Sequence, residues 1–272
     1  MKNNKYKILV LSDLKENTTE ILKSSVSLAK IIGGEVKFFH VKKPTDVVER
    51  ESQLSAFRTI NEQHTVTKKG IEKFVDSASK AYGVAIDYSY AFGNVKNEIK
   101  QYIKENQPDV IVLGKRKSMP ISLIGDKVIN FILKKYDGMV MIVDDKNTLE
   151  PNKKLSIGLL SDAEQLINVA FADDLIKQTD EPLKSFRIVN SSNNTPIETD
   201  NPATKKTVEY VFEHNDNTIS NLSNYLSKSS INLLCVDRSV NNGNTALIKS
   251  DIKNIVNKIN VSMLLTARYV NN

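Results

Sequence analysis

The chain has 272 residues, 40% of them hydrophobic and 26% charged, with a formal charge of +6. At about 150 residues per domain this length points to two domains, and the composition excludes a disordered tail, a collagen and a disulfide scaffold. No run approaches ~18 apolar residues, and Met1–Lys7 lacks the apolar stretch of a secretion signal, so a transmembrane helix is excluded and a cytoplasmic chain is expected.

Lys7–Ser12 is a short apolar run ending at Asp13 and reads as a buried strand. Asn17 or Thr18 can cap a helix whose apolar side holds Ile21, Leu22, Val26, Leu28, Ala29 and Ile32. Gly33-Gly34 stops it. Glu35–Val41 is a second strand closed by Pro44, and a long helical region runs from about Val47 to Tyr82. Gly83 ends that helix, and Val84–Tyr90 alternates as a strand. Asn94 caps a helix to about Asn106, and Val110–Leu113 is a fully apolar strand. A glycine-bearing loop, a helix from about Asp126 to Lys135 and a strand Met139–Val143 complete the first half. Strands alternating with helices imply a parallel sheet flanked by helices.

Residues 144–153 are polar and contain a proline, which reads as a linker in which Asp144 and Asp145 are solvated. The pattern then restarts. Leu9–Asp13 is echoed by Gly158–Asp162, Val110–Arg116 by Leu233–Arg238, and Val140–Val143 by Met263–Thr266. Asp13 to Gly114 spans 101 residues, whereas Asp162 to Asp237 spans 75. The deficit falls between Phe186–Val189 and Val208–Val211, where only a polar Asn/Thr/Pro stretch stands in place of the long second helix. We read an internal duplication over residues 1–145 and 154–272, joined by a linker at 146–153, whose second copy has lost one helix. Parallel sheets are normally covered on both faces. The expectation is therefore an apolar face in the second copy, hidden by the neighbouring domain or by a second chain.

The charge surplus lies wholly in the first copy: residues 1–150 hold 25 basic and 19 acidic side chains, and residues 151–272 hold 13 of each. The bases alternate with acids along helices and carry no interleaved aromatics, a pattern that does not support nucleic-acid binding. His40, His64 and His214 have no cysteine or histidine at metal-ligand spacing, which argues against zinc. His40 ends an apolar strand, where a packed or hydrogen-bonded ring is expected. Cys235 sits inside an apolar strand and is expected to be buried. There is no G-x-S-x-G elbow, phosphate-loop lysine motif or dinucleotide fingerprint. Ser12–Asn17 lacks the Ser-Gly-Gly loop of ATP-splitting amide-forming enzymes, and the acidic pair of receiver domains is missing.

The first strand ending in Asp13, the helix of sequence ENTTEILKSSVSLAK, the strand reaching His40-Val41 before Pro44, and the fourth strand running into Gly114 resemble a universal stress protein domain. The resemblance covers nearly the whole chain as two tandem copies. It implies open parallel five-stranded sheets of strand order 3-2-1-4-5, pairing through their last strands as dimers or tandem pseudo-dimers. Some members bind ATP through G-x2-G-x9-G-[ST] after the fourth strand. There the glycines let backbone N–H groups approach the phosphates, and the hydroxyl and helix N-terminus hold the anion.

By this resemblance Asp13 matches the first-strand aspartate, Val41 the adenine-contacting valine and Gly114 the first glycine. The second glycine position holds Lys117, the loop to Gly125 is two residues short, and the hydroxyl position holds Asp126. In the second copy the corresponding positions hold Asp237, Val240, Ser250 and Asp251. An aspartate at a helix start supplies the negative charge that phosphate would bring. At 4 Å and an effective dielectric near 20 its repulsion of a phosphate is about 4 kcal/mol before screening. The missing hydroxyl contact costs roughly another 1.5–3 kcal/mol. Lys115-Arg116-Lys117 could offset this by holding an anion, or could form a solvated loop, which is the reading we favour. The expectation is a cytoplasmic, non-enzymatic, stress-linked protein that binds ATP weakly or not at all and acts through a protein partner or as a homodimer. The alternative is a sensor of ATP or another adenine nucleotide, bound through Asp13, Val41, Gly114 and Gly125.

Overall fold

In a computed structural model the described residues are 6–15, 17–43, 53–115, 125–160, 171–179, 182–189, 207–238 and 249–267, with side chains at 53–60, 125–126 and 249–251 outside the description. The first half runs β1 (Tyr6–Leu11), α1 (Thr18–Ile32), β2 (Gly34–Lys42), α2 (Gln53–Tyr82), β3 (Ile86–Phe92), α3 (Val95–Asn106), β4 (Val110–Gly114), α4 (Gly125–Lys135) and β5 (Met139–Val143). The second runs β6 (Ile157–Leu160), α5 (Ala172–Lys177), β7 (Leu183–Val189), β8 (Thr207–Glu213), α6 (Thr218–Lys228), β9 (Leu233–Val236), α7 (Lys249–Lys258) and β10 (Ser262–Leu265).

Local chemistry sets several boundaries. Gly33 ends α1 at φ 68°, with its N–H donating to the Ala29 carbonyl; such left-handed closure costs glycine nothing. The Asn94 side chain accepts from the N–H groups of Lys96 and Asn97, as a helix cap should. At α1 the expected cap takes another form. Asn17 occupies the cap position without a side-chain cap bond, and its amide donates instead to the Lys115 carbonyl at 3.2 Å. The β3 strand lies two residues later than the alternation suggested, and Val47 falls outside the described residues.

The ten strands form one sheet in the order β3-β2-β1-β4-β5-β10-β9-β6-β7-β8. Each half has the order 3-2-1-4-5 with parallel neighbours. The halves join where β5 and β10 pair antiparallel, Met141 opposite Leu264. The pairing of last strands implied by the resemblance is thus made within one chain.

Two buried cores, one on each side of the sheet, run through both halves. One lies under α1, α2 and α5 and includes a Tyr6–Phe171 edge contact at 5.3 Å between the halves. The other lies under α3, α4, α6 and α7. The segment after β5 is packed rather than solvated, which corrects the reading of Asp144. That residue is buried, and its carboxylate accepts from the N–H groups of Lys146 and Asn147 while its own N–H donates to the Ser262 hydroxyl. Leu149 is fully buried, with its N–H on the Ser24 hydroxyl.

Among the described residues no helix stands between β7 and β8; residues 190–206 lie outside the description. The sheet face there is not the apolar surface expected. Leu183 belongs to the core beneath α1 and α2, whereas Phe186 and Ile188 belong to the opposite core. Alternation along β7 and its register with β8 therefore place Ser185, Arg187, Val189, Thr207, Glu209, Val211 and Glu213 on the first face. Arg187 pairs with Glu209 across the strands at 2.9 Å. Among the described residues this face mixes polar and apolar side chains, and Ser185 on it is buried.

Candidate functional site

The C-terminal ends of β1, β2 and β4 surround a cavity of about 450 Å³. Here the winding of the sheet reverses, since β1 is flanked by β2 on one side and β4 on the other. Such reversals leave a crevice between diverging loops. Its lining includes Asp13, His40, Val41 and Gly114, with Leu11, Phe39, Leu113 and Ile129 supplying apolar wall. Three of the residues nominated from the sequence, Asp13, Val41 and Gly114, are therefore brought together.

The loop after β1 is held by its own side chains. Leu14 has φ 62°, an uncommon conformation for a residue with a Cβ. Its N–H donates to the Ser12 hydroxyl, and that hydroxyl also meets the Thr18 hydroxyl at 2.8 Å. The Lys15 N–H donates to the Asp13 carboxylate at 3.3 Å, and Thr18 donates to the Lys15 carbonyl. These bonds hold Asp13 at the cavity edge.

His40 is the residue whose contribution the sequence understated. Its Nδ1 lies 2.9 Å from the Ser12 carbonyl. A carbonyl can only accept, so Nδ1 carries the hydrogen and Nε2 of the neutral ring is an acceptor. Burial pushes the pKa of His40 down; the bond to Ser12 opposes this and Lys42 adds to it. The cavity lining thus includes a neutral acceptor, on the sheet face opposite the Val41 side chain. Its position one residue before Val41 was the available signal.

Gly114 has a packing reason of its own. A Cβ there would meet the Asn17 amide nitrogen at 2.4 Å and Ile21 Cδ1 at 2.5 Å. The glycine admits the start of α1, whatever the phosphates of a ligand require. Lys115 is also committed. Its N–H donates to the Val143 carbonyl, and its Nζ donates to the Ile259 carbonyl in the other half at 2.8 Å. It is therefore neither a solvated cation nor one aimed at the cavity. Arg116 and Lys117 lie outside the described residues. Gly125 and Asp126 open α4, with their side chains outside the description.

The second half repeats the Lys115 arrangement. Arg238 follows Asp237 as Lys115 follows Gly114. It is 3% exposed and donates to the carbonyls of Tyr136, Asp137 and Gly138, just past the end of α4. Its Nε donates to Thr266 O at 2.7 Å. Ile259 holds the same place past the end of α7. Each half thus sends a cation onto carbonyls just past the end of the other half's last helix, where the helix dipole favours positive charge. The clue was a base at the same place in both repeats. Asp237 itself accepts from the Thr266 hydroxyl at 2.8 Å.

Cys235 is buried, and burial pushes its thiol up to about 12. Among the described residues no group of three or more His, Cys, Asp or Glu could hold a metal, and no helix is long and apolar enough to cross a membrane.

Comparisons with known proteins agree with this architecture. A universal stress protein from Archaeoglobus fulgidus is similar over 98% of both chains, with a TM-score of 0.66 and 13% identity. A functionally unknown protein from Pseudomonas aeruginosa is similar over 97% of this chain and 92% of its own, with a TM-score of 0.58 and 11% identity. At such identities the likeness is one of fold. No curated protein matches the chain. The sequence profile of the universal stress protein family matches residues 6–144, the half that builds the cavity. With that match over half its length and the tandem fold over the whole, the chain belongs to the universal stress protein family.

Proposed function

We propose that this is a non-enzymatic, cytoplasmic stress-linked protein that works by interaction with a protein partner, with residues 1–145 carrying a small-ligand site, residues 154–272 completing the fold, and 146–153 joining them. The observation that carries this reading is the division of labour around Gly114. The cavity is lined by Asp13, His40 and Val41. The cation following the glycine is spent on Ile259. The second glycine position is Lys117 and the hydroxyl position is Asp126. This supports a site that takes a base and a sugar better than a triphosphate.

The alternative, a sensor of ATP or another adenine nucleotide, is favoured by one feature. The neutral acceptor of His40 in the cavity lining suits a hydrogen-bond donor such as an amine. Calorimetric titration of the full chain with Mg-ATP, AMP and adenosine separates the two, together with a search for co-purified nucleotide in a denatured extract. The expected outcome is Mg-ATP binding at least about a hundredfold weaker than micromolar, a loss of roughly 2.8 kcal/mol. Micromolar Mg-ATP binding, or co-purified ATP, overturns the leading reading and establishes the alternative.

A further inference from the structure

We infer that the cavity has a second arm on its α2 side, where Thr67 and His40 together read an uncharged N–H or O–H donor of the ligand. The inference deepens the reading of residues 1–145 as a small-ligand site and rests on it. Alternation along β2 puts His40 on the same face as Phe38, beneath α2. The register sets Tyr90 of β3 beside His40. On α2 the His64 ring meets Tyr90 at 5.7 Å between centroids, and a Cβ on Gly70 would stand 3.7 Å from Leu14 in the loop after β1. Thr67 lies one turn from each on the same side of the helix. It therefore stands over the stretch between β3 and β1, which is where His40 lies.

Two polar groups are left open there. Thr67 is 4% exposed and lines the cavity, yet its hydroxyl makes no hydrogen bond among the described residues. Other helical hydroxyls, those of Ser25, Thr65 and Ser227, bond back to a carbonyl four residues earlier. His40 is 5% exposed; its Nδ1 is spent on the Ser12 carbonyl, and its Nε2 has no partner among the described residues. Buried polar groups are paired as a rule, and one left unpaired costs stability. Here both line one cavity, so a single ligand group can pair them. Val66, next to Thr67, is 61% exposed and lines the same cavity, which opens the arm to solvent. The chemistry of the pair selects the group. Nε2 accepts, so the ligand must donate; a carbonyl, carboxylate or phosphate oxygen would set lone pair against lone pair. Lys42 lines the cavity too and disfavours a cation. An uncharged amino or hydroxyl group satisfies Nε2 and meets the Thr67 hydroxyl as well.

The first test needs no ligand. Thr67→Val keeps the side-chain shape and removes the unpaired hydroxyl, so it should raise the urea unfolding midpoint of the full chain, whereas a threonine of merely structural use would lower it. The second titrates the full chain with 2-aminopyrimidine, pyrimidine-2-methanol and pyrimidine. Binding is followed at the His40 ring resonances, assigned by their loss in His40→Gln. The two donors should shift these resonances saturably, and the tighter of them names the donor that the arm prefers. Pyrimidine should bind at least about fivefold more weakly, the worth of one neutral hydrogen bond. Thr67→Val should weaken both donors at least about fivefold for the same reason. A lowered midpoint in Thr67→Val, donors that bind no better than pyrimidine, or affinities indifferent to Thr67→Val overturns the proposal. Donors that bind as expected while adenosine does not would establish the arm and overturn the base-and-sugar reading alone.

Discussion

Under α2, the first half of the sheet presents Val36, Phe38, Ile86, Tyr88 and Tyr90. The repeat and the strand registers place Leu183, Ser185, Thr207, Glu209 and Val211 at the same positions of the second half, where the described chain has no equivalent helix. Phe38 has become Ser185, Ile86 Thr207 and Tyr88 Glu209. On the opposite face, which α6 covers, the exchange runs the other way. Ser89 has become Tyr210 and Ala91 has become Phe212, and these rings gather around Phe186 and Tyr225. A helix can be removed from a parallel sheet if the strand positions beneath it turn polar and the apolar mass moves to the face still covered. The period of two makes this possible, because alternate residues can be changed independently.

The largest effect that would break this comparison is expected at its most contrasted pair. Phe38→Ala should cost about 3–5 kcal/mol, because it empties a fully buried site beneath α2. Ser185→Ala should cost under about 1 kcal/mol. Urea unfolding midpoints read both, and equal losses would mean that the two faces are covered alike. The next effect concerns the two cross-half cations. Arg238→Met strands several carbonyls around a buried group and should cost about 3 kcal/mol. Lys115→Met removes one charged hydrogen bond and should cost about 1.5 kcal/mol. A larger loss at Lys115 would reverse this ranking.

The smallest effect is one of pH. His40 and Arg187 are counterparts in the repeat, a histidine set against an arginine. The folded chain holds the His40 pKa below the ordinary 6.5, so the unfolded chain binds the proton more strongly. Stability from this residue is full above about pH 6.5 and is lost as the pH falls below it. His40→Gln should flatten that limb of the stability–pH curve, whereas Arg187→Gln should leave its shape unchanged.

The alternating run from Lys7 to Val143, the restart at Gly158 and the missing stretch before Val208 were legible because hydrophobic period and spacing are local properties of the chain. Asp13, Val41 and Gly114 were nominated through the resemblance to a universal stress protein domain, and the fold brings them to one cavity. The error over the second sheet was one of register. Phe186–Val189 and Val208–Val211 read as apolar runs, yet which of their residues share a face with Leu183 depends on strand neighbours far away in sequence. The purpose of Lys115 was hidden for a similar reason. It looks like part of a basic loop until Ile259, 144 residues away, arrives beside its Nζ.

The sequence by itself determined the order of strands and helices and the duplication, since each follows from short-range pattern and from connections that can close in only one hand. Only the tertiary structure decided that the two sheets fuse through β5 and β10, that Asp144 is buried, that Gly114 makes room for Asn17, and that two cations lock the halves together. Those outcomes rest on contacts between residues distant along the chain, whose energies are set by where unpaired carbonyls and buried polar groups find partners.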